Sequence, residues 1–327
     1  MLENKTVFIT GGAGFIANTL IEQYIHRNRI VVYDNFHRNT LSESPFLHHD
    51  NLTVIEGDVL DLPLLVESMA GADVVVHAAA IAGIDTVGKD PVRTMRVNML
   101  GTANTLEAAR INAVAGRFID FSTSEIYGSD AANVDENDDA NVGAAGEPRW
   151  VYAASKLAGE HLSLAYHRQY GLPVTVVRPF NIYGPGQTGE GAIQVFIKKA
   201  LAGEPIHITG DGSQVRAWCY VTDFVEGLRR CIELRQAIGQ TFNIGNARTA
   251  VSIAQLAKTV CSVLRSESPI FFGEALKADI AVRIPLVEKA TRLLGFTARV
   301  SLEHGIDEMA QWMKKANGAS TPLSLLN

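Results

Sequence analysis

Cysteine is scarce in this chain: Cys219, Cys231 and Cys261 stand alone among 327 residues, at spacings that suit neither a disulfide framework nor a metal site. They read as reduced, mostly buried thiols of a cytosolic protein. Long apolar runs are also missing. None approaches the roughly 18 residues needed to cross a bilayer, and no basic stretch, apolar run or cleavage site opens the sequence. A soluble, cytoplasmic protein without membrane contact is the expectation. Positive charge is not in excess, since 29 Lys and Arg face 35 Asp and Glu for a net charge of −6, so nucleic acid is not an expected partner. The nine histidines have no ligand spacing, and no metal is assigned. Apolar residues, by contrast, are plentiful: 47% hydrophobic against 20% charged marks a folded globular chain and excludes extensive disorder.

Short strand and helix signals alternate through the first half, which argues for βαβ units and a parallel sheet. Thr6–Thr10, Ile30–Tyr33, Leu52–Glu56, Asp73–His77 and Arg117–Ser122 read as strands. Asn18–Asn28, Leu62–Met69 and Pro91–Asn112 read as the helices between them. The acidic, Gly/Ala-rich stretch Ser129–Glu147 reads as a long loop, of the kind that serves a site. A helix over Tyr152–Tyr170, a strand over Pro173–Arg178 and a Gly/Pro-rich loop over Tyr183–Gly191 follow. Ser252–Gln255 resembles a capping box, and Ser301–Lys315 an amphipathic terminal helix. The expected fold is α/β: a Rossmann-type doubly wound parallel sheet with a smaller α/β substrate-binding domain. The first would take residues 1–178 and about 218–247, the second about 179–217 and 248–327.

Thr10-Gly11-Gly12-Ala13-Gly14-Phe15-Ile16-Ala17 closes the first strand and opens the first helix. Glycines there allow a tight turn and let the backbone approach a pyrophosphate, which the helix N-terminus attracts. Asp34 ends the second strand, 20 residues beyond Gly14. A carboxylate at that point accepts hydrogen bonds from the ribose diol and repels a 2′-phosphate, so NAD is expected rather than NADP. The expected cofactor contacts are Gly11, Gly14, Phe15, Ile16, Asp34, Asn35, Asp58, Val59, Ala78, Ala80 and Asn98, joined by Tyr152 and Lys156. Asp58 reads equally well as a helix cap.

Tyr152 and Lys156 sit one helical turn apart on one face. A phenol is a weak base near neutrality. A neighbouring ammonium and a positive nicotinamide ring both favour its phenolate, so the pair is expected to act as a base with its pKa lowered. Thr123, Ser124 and Glu125 close the preceding strand, where hydroxyls can hold the reacting oxygen and a carboxylate can remove a proton beside a new carbonyl.

These motifs resemble the extended short-chain dehydrogenases/reductases of the NAD-dependent epimerase/dehydratase family, from Thr6 to about Asn246 and more loosely beyond. The resemblance implies that Thr123 is the active-site Ser/Thr, Tyr152 the base and Lys156 its lysine. It implies that Asn181, in Arg178–Gly186, holds a nucleotide-diphosphate sugar and that Arg216, after Gly210-Asp211-Gly212, grips the diphosphate. It also implies a homodimer formed through the helices at Pro91–Asn112 and Tyr152–Tyr170.

The shared first step of such enzymes is oxidation of the sugar C4 hydroxyl. Glu125 argues against simple 4-epimerases, which usually carry a small neutral residue there. Thr123–Glu125 is similar to UDP-glucuronate decarboxylases and GDP-mannose 4,6-dehydratases, while Ser124 lacks the acid of dTDP-glucose dehydratases. Arg149-Trp150-Val151-Tyr152 resembles decarboxylases, and Arg149 or Arg216 suits a C6 carboxylate. Glu190, in the substrate loop, departs from that pattern. Decarboxylation of a nucleotide uronate therefore ranks first, 4,6-dehydration second and epimerisation third; a non-catalytic NAD-binding sensor ranks last, because Tyr152, Lys156 and Thr123 are all present.

Overall fold

The computed structural model describes residues 2–275 and 279–318. The first half runs β1 (Thr6–Thr10), α1 (Phe15–Tyr24), β2 (Arg29–Asp34), β3 (Leu52–Glu56), α2 (Leu62–Ser68), β4 (Val74–His77), α3 (Ile84–Lys89), α4 (Pro91–Ile111), β5 (Arg117–Phe121), β6 (Asp130–Val134), α5 (Val151–Tyr170) and β7 (Val174–Pro179). After it come β8 (Ile182–Tyr183), α6 (Ala192–Ala202), β9 (Ile206–Ile208), β10 (Val215–Arg216), β11 (Cys219–Tyr220), α7 (Val221–Glu233) and β12 (Gln240–Ile244). The remainder is β13 (Val251–Ser252), α8 (Ile253–Leu264), β14 (Ile270–Phe272), β15 (Val282–Pro285), α9 (Glu288–Leu294) and α10 (Leu302–Gly318).

Seven strands form one parallel sheet in the order β12-β7-β5-β4-β1-β2-β3. Strands buried on both faces must be apolar almost throughout, and β4 (VVVH) and β5 (RFIDF) are buried at every position. The chain winds from β1 outward to β3, then returns to β4 on the other side of β1. The order reverses there, leaving a crevice beyond the carboxyl ends of β1 and β4. Asp90 caps α4 by accepting from the Arg93 N–H at 3.0 Å, with Pro91 in the first turn.

The doubly wound sheet is the one expected from the alternating signals. Two local readings change. The first helix starts at Phe15 rather than Asn18, because the glycine turn leads straight into it. Ser129–Glu147 is not wholly loop: β6 lies inside it, pairing parallel with β15 at the edge of a four-stranded sheet, β13-β10-β15-β6. That partner is remote in sequence, and DAANV is too polar to announce a strand by itself. The forward half of the Ser252 capping box is present, its Oγ accepting from the Gln255 N–H at 3.0 Å.

Candidate active site

Gly11 follows β1 with φ +69°, and a Cβ there would lie 2.6 Å from the backbone nitrogen of Ala79. Only glycine fits both the conformation and the approach of β4's loop. Gly14 leads into α1, whose first N–H groups receive no side-chain cap and stay available to an anion. Asp34 accepts from Ala13 N–H at 2.9 Å through Oδ2 and from Phe36 N–H at 2.7 Å through Oδ1. Burial pushes its carboxyl up while these backbone donors pull it down. A carboxylate has about four acceptor positions, so two such bonds leave room for a diol.

These residues open onto a cavity of about 710 Å³, which reaches from Gly11, Gly14, Phe15, Asp34 and Asn35 past Val59, Ala78 and Ala80 to Glu125, Arg149, Asn181, Arg216 and Arg283. A pyrophosphate-linked dinucleotide fits this chain's residues at one end: a turn whose only side chain is the buried Ala13 methyl, uncapped N–H groups and an acid. Ile16, Asp58, Asn98 and Lys156 do not line it. Ile16 packs on the apolar core. Asp58 accepts from Leu60 N–H at 3.0 Å, while the cap of α2 is Asp61. Asn98 braces the cavity wall, accepting from Ile81 N–H at 2.8 Å and donating to Ser155 Oγ at 3.0 Å.

An adjoining cavity of about 330 Å³ brings together Thr123, Ser124, Glu125, Arg149, Tyr152, Asn181 and Arg283. Thr123 and Tyr152 face this pocket together, and the Thr123 hydroxyl favours the phenolate. The expected lowering of the Tyr152 pKa is not what the chain itself provides. Burial, then Glu125, push the phenol up, and Thr123 and Arg283 only partly oppose them. The positive ring counted in the sequence reading belongs to the cofactor, not to the chain. Lys156 is 2% exposed; burial lowers its pKa, and Asp120 and Glu160 counteract this.

Glu125 is gripped by two guanidinium groups. Arg149 Nη1 donates to Oε2 at 2.7 Å, and Arg283 Nη1 to Oε1 at 3.4 Å. Burial alone would raise this carboxyl; Arg283 and Arg149 overcome it and hold Glu125 below the ordinary glutamate range. Arg216 lines the larger cavity, as Arg149 and Arg283 also do, 3.6 Å from Asp279, and burial beside Arg283 and Arg149 lowers it to about 10. Three guanidinium groups thus face one space. Asn181, at φ +44°, ties its amide to Ala217 O at 2.8 Å. Glu190 lines the larger cavity as well, but its carboxylate is engaged elsewhere. It receives Asp85 N–H at 2.8 Å and the Thr86 hydroxyl at 2.9 Å, fastening the loop over Tyr183–Gly191 to the start of α3.

Sequence reasoning missed Arg283, Asp120 and Trp218. Arg283 is the one charge of β15, VRIP, which is itself a signal that could have found it; Asp120 shares β5 with a second charge, Arg117, and stands out less. Trp218 lines the larger cavity with an indole N–H that has no partner among the described residues.

A doubly wound parallel sheet with this turn, this acid and a Tyr/Lys helix defines a dinucleotide-using α/β enzyme. The chain belongs to the NAD-dependent epimerase/dehydratase family, whose model matches residues 7–245. It is 35% identical over 325 residues to a UDP-N-acetyl-alpha-D-glucosaminuronate decarboxylase of Bacillus cytotoxicus, covering 95% of this chain and 98% of that one. It is 33% identical to UDP-glucuronic acid decarboxylase 6 of Arabidopsis thaliana, over 94% of this chain and 88% of the relative. Among solved structures, it resembles a UDP-glucuronic acid 4-epimerase from Bacillus cereus, crystallised with UDP-glucuronic acid and NAD. That likeness has a TM-score of 0.85 and 28% identity, over 95% and 99% of the two chains.

Proposed function

We propose that this enzyme decarboxylates a UDP-linked uronic acid by NAD⁺-dependent oxidation at the sugar C4. The observation that carries this reading is the pairing of Arg149 and Arg283 on Glu125 beside Tyr152. Two cationic groups against one anion leave a net positive charge, which suits a sugar that brings a carboxylate of its own. The named decarboxylases among the relatives support the same assignment.

NAD⁺, which the glycine turn and Asp34 would hold, would supply acceptance and return of hydride. Tyr152 takes the C4 hydroxyl proton while Thr123 holds that oxygen and Lys156 supports the ribose. The C4 ketone makes the C6 carboxylate part of a β-keto acid. The C5–C6 bond then breaks, its electron pair passes into the enolate over C5, C4 and O4, and carbon dioxide departs. A solvent-derived proton takes its place at C5, and Tyr152 returns its proton to O4 as the ketone is reduced. Arg149 and Arg283 orient the carboxylate, Glu125 fixes both guanidinium groups, and Arg216 with Asn181 holds the diphosphate. Asp34 and the turn at Gly11 and Gly14 hold the adenosine half.

4,6-Dehydration, in which the 4-ketone loses its C5 proton and C6 hydroxyl as water, is the second reading, favoured by the ionised Glu125, which can take the C5 proton. Ser124 counts against it, since a hydroxyl is a poor proton donor to a leaving group. The test is incubation with a panel of nucleotide sugars and NAD⁺, reading product mass. Loss of carbon dioxide from UDP-glucuronate or its 2-acetamido analogue is expected; loss of water, or an unchanged mass with inverted stereochemistry, refutes it.

We also propose a cytoplasmic homodimer. Its support is the apolar surface on α4, where Val92, Met99, Leu100 and Ile111 are exposed, together with Tyr170 on α5. Among the described residues no helix is long and apolar enough to cross a membrane. Light scattering at a monomer's mass would exclude the dimer.

A further inference from the structure

The floor beneath Lys156 carries charges that the oxidation step has not used. Three neighbouring strands deliver Thr10, His77 and Asp120 in register at their carboxyl ends. His77 is held between the hydroxyls of Thr10 at 2.7 Å and Thr102 at 2.9 Å, and burial with Lys156 nearby keeps it neutral. Asp120 is 1% exposed, between the apolar Ile119 and Phe121 of β5. Its Oδ2 accepts from Ser163 Oγ at 2.9 Å, and its Oδ1 has no hydrogen-bond partner among the described residues. An acid buried this way costs free energy unless a cation compensates it.

Ser163 stands two helical turns beyond Lys156 on α5, so Asp120 is moored to the face of the helix that carries the lysine. The titratable groups facing Lys156 are the acids Asp120 from β5 and Glu160 from its own helix, and the neutral His77 from β4. Glu160 is already matched, since Arg178 grips it at 2.6 and 3.1 Å. The cation acting on Asp120 is Lys156, and the acid repelling it is Glu160. Burial still leaves the Asp120 carboxyl above its ordinary range and the Lys156 ammonium below its own, and each group favours the charge of the other.

We propose that Asp120 is a positioning residue for the oxidation, the buried counter-ion that keeps Lys156 an ammonium beneath the cofactor ribose and the Tyr152 phenol. Without a facing carboxylate, a lysine buried this deeply sheds its proton at lower pH, and the ribose and the phenolate lose their cation together. The proposal rests on the assignment of Tyr152 and Lys156 as base and partner, but not on the fate of the ketone. Asp120 lines neither cavity and touches no substrate; its charge also bears on the buried Tyr152 phenol, raising it, so the deciding reading is the titration of Lys156 itself.

The test uses the full chain labelled with [ε-¹³C]lysine, with the Lys156 signal assigned by its loss in Lys156→Arg. Asp120→Asn preserves shape and removes the charge. The titration midpoint of Lys156 is expected to fall by about 1 unit or more in this variant. The reciprocal measurement covers the case in which Asp120→Asn does not fold: Lys156→Met, read at the Asp120 carboxyl carbon, should raise that midpoint by a like amount. An unmoved midpoint in whichever variant folds overturns the proposal, whatever sugar the enzyme uses. In turnover, Asp120→Asn should move the alkaline limb of the rate profile to lower pH, a change that a purely structural defect would not produce.

Discussion

Arg149 and Glu125 meet at 2.7 Å across the mouth of the catalytic pocket, and Arg283 approaches the other oxygen of the same carboxylate. The helix that brings Tyr152 is preceded by the turn that brings Arg149, so base and guanidinium are set by one segment. Glu125→Gln would leave an amide that cannot serve two cations. Overall turnover should fall by about a hundredfold, while C4 oxidation persists as NADH absorbance. Turnover within threefold of wild type would remove Glu125 from the mechanism.

Tyr152→Phe keeps the ring and deletes the acid–base oxygen. Turnover should drop by about 10²- to 10⁴-fold with NAD⁺ affinity retained. Isothermal titration alongside the rate assay separates the two, and activity above a tenth of wild type would mean another base.

Asp34 predicts the choice of dinucleotide. A 2′-phosphate would bring negative charge against a carboxylate already held by two backbone donors. NADP⁺ should therefore bind more than about tenfold weaker than NAD⁺, a difference of ~1.4 kcal/mol. Equal affinities would contradict the role given to this residue.

The arginine grip on Glu125 also makes a pH prediction. Its pKa in the folded chain lies below the unfolded value, so the pairing stabilises the fold at pH above the unfolded pKa and is lost as pH falls through the folded one. Arg149→Met removes one of the two cations and raises that folded pKa. Acid unfolding, followed by circular dichroism, should then begin at higher pH than in the wild type. An unchanged or lower acid midpoint would mean that the pair does not hold Glu125 ionised.

The sequence made the cofactor end legible because its signals are local: Gly11, Gly14 and Asp34 sit at fixed offsets along one βαβ unit. Tyr152 and Lys156 were legible for the same reason, one turn apart on a single helix. Arg283 was not, since it reaches Glu125 only when β15 joins β6 in the second sheet, a pairing between remote segments. Asp120 was hidden within a strand whose period says only that it is buried. The electrostatics of Tyr152 ran against the local reading, because burial and Glu125 act on the phenol from the surrounding fold rather than from its own helix. Glu190 reads in the sequence as opposed to an acidic sugar, whereas in the fold its carboxylate is committed to Asp85 and Thr86.

The central claim is that the ketone at C4 is followed by loss of C6. UDP-glucuronate labelled with ¹³C at C6, incubated with the enzyme and NAD⁺, tests it directly by the fate of the label. The account predicts label released as carbon dioxide and a UDP-pentose, or its 4-keto form, left behind. Label retained in a nucleotide sugar that has nonetheless been epimerised at C4 would contradict it.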